Sequence, residues 1–64
     1  MVKINGTQVN AAGLTLAQYL ETANFNLKRI VVERNEEIIP KANYDQTILC
    51  DGDVIEIITF MGGG

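Results

Sequence analysis

Apolar positions along this chain alternate, then recur at helical spacing, then alternate again, and each change of period marks an element boundary. The opening "MVKINGTQV" sets Val2 and Ile4 on either side of Lys3, the period of a half-buried strand. Asn5-Gly6 is a two-residue hairpin signal, because both central residues of a type I′ turn need positive φ, and Gln8 and Val9 continue into a returning strand. In "GLTLAQYLETANF" the period becomes helical. Thr15 and Gln18 have the spacing of a capping box, in which the hydroxyl takes an orphan N–H and the amide reaches back. Leu14 and Tyr19 stand where a hydrophobic staple would close. Leu16, Tyr19, Leu20 and Ala23 give one apolar stripe, so the spacing predicts a helix of about two to three turns ending near Asn24.

Beyond the helix the alternation returns. Residues 30–32 predict a strand inside a sheet, Asn35 and Glu36 a turn, and Ile38 and Ile39 a short strand that Pro40 stops. "ANYDQTILCDGD" predicts a loop, a short strand over 47–49 and a turn at Asp51-Gly52. The last run, "DVIEIITF", is the strongest strand, with Ile55 and Ile57 on one face and Val54, Glu56, Ile58 and Phe60 on the other. Hairpin, helix and further strands pack most economically as an α+β domain, a small mixed sheet with one main helix across one face. The other face has nothing of its own to cover it. Val54, Ile58 and Phe60 then present apolar surface around Glu56, and clustered exposed apolar groups mark interaction sites. These four residues are the candidate partner-binding patch; the competing expectation tucks Val54 and Phe60 under loops at the rim.

Length limits the chemistry available. A chain of about 60 residues buries only ~60% of the surface it exposes unfolded, which leaves little room for a catalytic cavity beside a core. With 47% apolar residues, two Phe, two Tyr and no Trp, the core is expected to be aliphatic. A net charge of −3, from eight acids and five bases, argues against a nucleic-acid partner, which would need clustered Lys and Arg. It fits docking on a basic protein surface, and equally simple solubility. There is no histidine, and Cys50 is the single cysteine, which excludes an intrachain disulfide, a protein zinc site and a Cys-His or Ser-His-Asp triad. Cys50 has no Lys or Arg beside it in sequence to lower its pKa, and is expected to be a buried packing residue. Asp51 and Asp53 lack the spacing of a calcium loop and read as a turn; Glu36-Glu37 reads as a solvated turn. No apolar run approaches the ~20 residues of a membrane span, and no leader pattern stands at the start. The expectation is a soluble cytoplasmic protein with no cofactor or metal of its own and no membrane contact.

The chain closes "ITFMGGG", and glycine there needs a reason, since no backbone costs more to order. Without Cβ, such a segment can pass a narrow channel and take φ values closed to other residues. A hairpin, a helix and a last strand running into Gly-Gly resemble the ubiquitin-like β-grasp superfamily, and within it the thiamin-biosynthesis sulfur carrier family. "INGTQV", "VVERNEEIIPK" and "DGDVIEIITFMGGG" carry the likeness over essentially the whole chain, with Gly62 ahead of the defining pair Gly63-Gly64. The resemblance implies a β-grasp domain over 1–60 and a flexible glycine tail over 61–64, with no catalytic residue. It implies that an E1-like ATP-dependent adenylyltransferase converts the Gly64 carboxylate to an acyl-adenylate. A sulfur donor such as a cysteine desulfurase then replaces AMP to leave a thiocarboxylate. Thiazole synthase takes that sulfur while the thiazole ring of thiamin is built. The small subunit of molybdopterin synthase and ubiquitin-like protein modifiers share this tail, and a plain β-grasp interaction module with inert glycines is a further alternative; the shortness of the chain favours the thiamin branch.

Overall fold

Asn5 and Gly6 hold φ of 49° and 84°, the left-handed pair that a type I′ turn demands, and they join β1 (Val2–Ile4) to β2 (Thr7–Val9) as an antiparallel hairpin. The computed structural model describes residues 1–60; the tail expected over 61–64 lies outside the described residues. Asn35 and Glu36 repeat the device with φ of 50° and 72°, joining β3 (Ile30–Arg34) to β4 (Glu37–Ile38). That turn fixes the register, with Arg34 opposite Glu37 and Glu33 opposite Ile38. The predicted strand at Ile38 and Ile39 is therefore shifted by one residue. Ile39 leaves the strand, half-buried against the core, with its N–H bonded to the Val32 carbonyl at 2.9 Å.

α1 spans Leu16–Thr22 and begins as the capping box requires. The Gln18 N–H donates to Thr15 Oγ1 at 3.1 Å, and the Thr15 N–H donates to Gln18 Oε1 at 2.9 Å. It ends because Asn24 turns left-handed at φ 61°. The Asn24 N–H then reaches the Glu21 carbonyl and the Phe25 N–H reaches that of Leu20, the paired bonds of a Schellman motif. Leu16 and Leu20 are buried, with Ala17, Tyr19 and Phe25 packed against the core beside them. Ala23, expected in the stripe, is the C-cap and is exposed.

The sheet order is β2-β1-β5-β3-β4, with β5 (Val54–Thr59) in the centre. β1 runs parallel to β5 and the other neighbours are antiparallel, so the sheet is mixed. α1 packs on one face over Val2, Ile4, Ile30, Val32, Ile55 and Ile57, all buried, with Tyr44 the one buried aromatic. Two short 3₁₀ turns, Leu27–Arg29 and Lys41–Asn43, fill stretches that carry no strong period in the sequence.

The strand predicted over 47–49 does not form. Ile48 makes one isolated bridge with Thr15, and the backbone on either side of it is taken up in anchoring the start of α1. The Leu16 N–H bonds the Thr47 carbonyl at 2.7 Å, while Leu49 exchanges bonds with Gly13 and Leu14. With those groups satisfied, the segment has nothing left to offer a sheet.

Candidate functional site

β5 divides its side chains as the alternation demands. Ile55 and Ile57 point into the core, whereas Val54, Ile58 and Phe60 are 45%, 44% and 51% exposed, with Glu56 exposed among them. Among the described residues no loop closes over Val54 or Phe60, so this face of the strand is open there. Its neighbours across the ladders enlarge it. Ile58 lies opposite half-buried Val31, and exposed Ile38 sits at the edge opposite Glu33.

The face is acidic as well as apolar. Glu56 stands directly opposite Glu33 across β5 and β3, an arrangement that is mutually destabilising. Two ion pairs occur among the described residues, the Met1 amino group with Asp51 and Arg34 with Asp53 at 3.0 Å. Neither reaches this acidic pair. Glu33, Asn35, Glu36, Val54 and Glu56 line an open concavity of about 380 Å³. What this face offers is apolar area and two carboxylates without an ion pair among the described residues, with exposed Lys3 of β1 beside Val54 on the same face. The root of the tail is tied down: the Phe60 N–H bonds the Arg29 carbonyl at 2.7 Å, so the sheet holds the chain up to the last described residue. Gly62, Gly63 and Gly64, the expected tail and adenylation site, lie beyond the described residues.

The start of β5 is fixed by a residue whose role the sequence reading did not find. Asp53 is buried, and its carboxylate accepts from the Cys50 N–H at 2.9 Å, Asn35 Nδ2 at 3.2 Å and Arg34 Nε at 3.0 Å. Asn35 Oδ1 in turn accepts from the Val54 N–H at 2.9 Å. The network ties the β3–β4 turn and the Asp51-Gly52 turn to one point, which sets where Val54 enters the open face. An acid directly before a strand and after a glycine turn was the available signal.

Cys50 is exposed, not buried for packing as expected. Leu49 takes the buried place and the next residue turns outward, where Arg34 Nη2 donates to the thiol at 3.7 Å. The two are sixteen positions apart, so sequence proximity could not reveal the guanidinium. No group of three metal-ligating side chains occurs among the described residues. No helix among them is long and apolar enough to cross a membrane.

The model of the ThiS family matches residues 2–64. The sulfur carrier protein ThiS of Bacillus subtilis is 43% identical over 67 aligned positions, with both chains covered in full. A thiazole synthase of Paramagnetospirillum magneticum is 42% identical over 62 positions, covering 95% of this chain but 19% of that protein. The chain thus spans about a fifth of the thiazole synthase it matches. The crystal structure of a thiamine biosynthesis protein, ThiS, from Geobacter metallireducens superposes with a TM-score of 0.79 at 31% identity, covering 98% of this chain and 97% of the other. The helix across a mixed five-stranded sheet is the ubiquitin-like β-grasp fold. With the family pattern met over nearly its whole length and its fold shared with a solved relative, the chain belongs to the ThiS family.

Proposed function

We propose that this chain carries sulfur, as a thiocarboxylate on Gly64, to the thiazole ring of thiamin, and that other proteins perform every chemical step upon it. Residues 1–60 are the handle and 61–64 the reactive arm. The observation that carries the reading is the course of β5. The strand at the centre of the sheet runs along the open face and is still hydrogen-bonded at Phe60, four residues from the terminal carboxylate. Extended, those four residues reach at most ~13–14 Å, enough to bring Gly64 into a pocket while the face rests on that pocket's rim.

The chemistry explains the division of labour. A carboxylate at neutral pH is a poor electrophile and repels an anionic sulfur. An E1-like adenylyltransferase therefore attaches AMP from ATP to the Gly64 carboxylate, with release of pyrophosphate. The outer sulfur of a persulfide on a donor such as a cysteine desulfurase attacks the acyl carbon, and AMP leaves. A thiol then cleaves the resulting acyl disulfide, leaving the thiocarboxylate on Gly64 and a disulfide on the thiol side. The thiocarboxylate then gives its sulfur to thiazole synthase and returns as a carboxylate. That one thiazole synthase carries a segment similar to this chain supports the pairing of the two activities. Fixing the tail in a channel costs roughly 1–2 kcal/mol per residue. The docking of Val54, Glu56, Ile58 and Phe60 offsets that cost. The setting is the cytoplasm.

Intact mass tests the reading. The chain is incubated with ATP, the adenylyltransferase and a sulfide source. A rise equal to the exchange of one oxygen for sulfur is expected, and it disappears when Gly64 is removed. Thiazole synthase, and not molybdopterin synthase, then discharges the product. Adducts on lysines of other proteins would instead make the chain a modifier.

A further inference from the structure

The two sides of β5 are not covered alike. On the β3 side the ladder runs from Arg34 opposite Ile55 to Ile30 opposite Thr59, and the Phe60 N–H adds one more bond. On the β1 side it stops early, with pairing only at Lys3 beside Val54 and Ile4 beside Ile55. The Lys3 N–H bonds the Asp53 carbonyl and the Asn5 N–H bonds the Ile55 carbonyl, each at 2.9 Å. The backbone then turns away, because Asn5 and Gly6 take positive φ. One side chain fills the next position. Asn5 Oδ1 accepts from the Ile57 N–H at 2.7 Å, and Asn5 Nδ2 donates to the Ile57 carbonyl at 3.3 Å.

Odd-numbered residues of β5 thus aim both backbone groups at the β1 side, and even-numbered ones at β3. Thr59 is the next odd residue. It is exposed, and among the described residues neither β1 pairing nor another hydrogen bond reaches its N–H or carbonyl on the side β1 has left. A donor and an acceptor spaced for a ladder, on an unprotected strand, are a template for another extended chain.

We propose that an extended segment of the adenylyltransferase pairs, backbone to backbone, with Thr59 in the place β1 vacates, so that the root of the tail is held between β3 and a borrowed strand. This rests on the carrier function proposed above. The position favours that enzyme over a second copy of this chain. Thr59 is five residues from Gly64, so any strand added there runs beside the arm that must enter the active site. A second copy on that edge would block it. One vacant residue is also too short an edge to drive self-association, because the Asn5 carboxamide has already closed the ladder at Ile57.

Backbone hydrogen exchange of the full chain tests this, free and saturated with the adenylyltransferase and ATP. The Thr59 amide should exchange freely alone and become protected in the complex, while the Phe60 amide is protected in both. Thr59→Pro removes the donor without removing an intrachain bond and should weaken binding to the enzyme roughly two- to tenfold, the worth of one hydrogen bond. Thr59→Val keeps the N–H and should bind as wild type does. Free exchange at Thr59 in the saturated complex overturns the proposal, as does a folded proline variant that binds undiminished. Protection in the free chain that grows with its concentration would give the edge to a second copy and overturn it too. If the enzyme forms no complex at all, the carrier function itself falls, and this inference with it.

Discussion

Tyr44 is the one aromatic side chain fully enclosed in an otherwise aliphatic core, and burial pushes its phenol above the usual tyrosine range, with the backbone of Val32 acting in the opposite sense. A raised folded-state pKa means that the fold favours the neutral phenol. Its contribution is complete below the unfolded value of about 10 and is lost as pH rises through the folded one. The urea midpoint of the chain should therefore fall in strongly alkaline solution. In Tyr44→Phe the fall should be smaller over the same range, whatever the variant loses at neutral pH. Equal slopes in the two proteins would mean that Tyr44 ionises as easily folded as unfolded. The sequence placed no special weight on this residue, since a tyrosine in "KANYDQ" has no periodic neighbours to announce its burial. Cys50 shows the same limit in reverse. It has the residue type of a core position, yet lies outside, because Leu49 is the inward member of its segment.

At the scale of elements, α1 shows how a short piece is held. Seven residues are too few for an isolated helix in water, so its caps and its buried face must carry it. Thr15→Ala removes one side of the capping box and should cost about 1 kcal/mol. For a domain this small that corresponds to a fall of roughly 4–8 °C in melting temperature. Thr15→Ser should recover most of it, and calorimetry of the three proteins checks the series. Caps and turns of this kind were legible in the sequence because each rests on contacts within a few residues. Asn5-Gly6, Asn35-Glu36, Thr15-Gln18 and the alternation of β5 all took the predicted form. The strand predicted over 47–49 failed for the complementary reason. Apart from the Thr47 N–H, which bonds the Asn43 carbonyl, its backbone partners are Gly13, Leu14 and Leu16, more than thirty residues earlier, and no local period records them. The Asn5 carboxamide on Ile57 is likewise invisible before folding, at a separation of 52 residues. Of the candidate site, the outward set on β5 was readable and its acidic opposite, Glu33, was not, because register between β3 and β5 is a tertiary property.

For the whole molecule, that register sets stability against docking. Glu33 and Glu56 oppose each other on the open face with no ion pair to either among the described residues, in a protein whose net charge is already −3. Replacing one of them by a base would turn a repulsive cross-strand pair into an attractive one. Exposed pairs are worth at most about 1 kcal/mol, so Glu56→Lys should raise the melting temperature by no more than roughly 4–8 °C. On the docking proposed above, the same change should weaken binding to the adenylyltransferase, because the face would no longer complement a basic surface. The loss should be largest in dilute salt and shrink as ionic strength rises, since screening reaches exposed charges first. A carrier made more stable and less useful by one substitution is what a surface shaped for a partner predicts. Melting curves and titrations at two salt concentrations separate the outcomes. Undiminished binding in the stabilised variant would remove Glu56 from the docking face and leave the apolar residues to act alone.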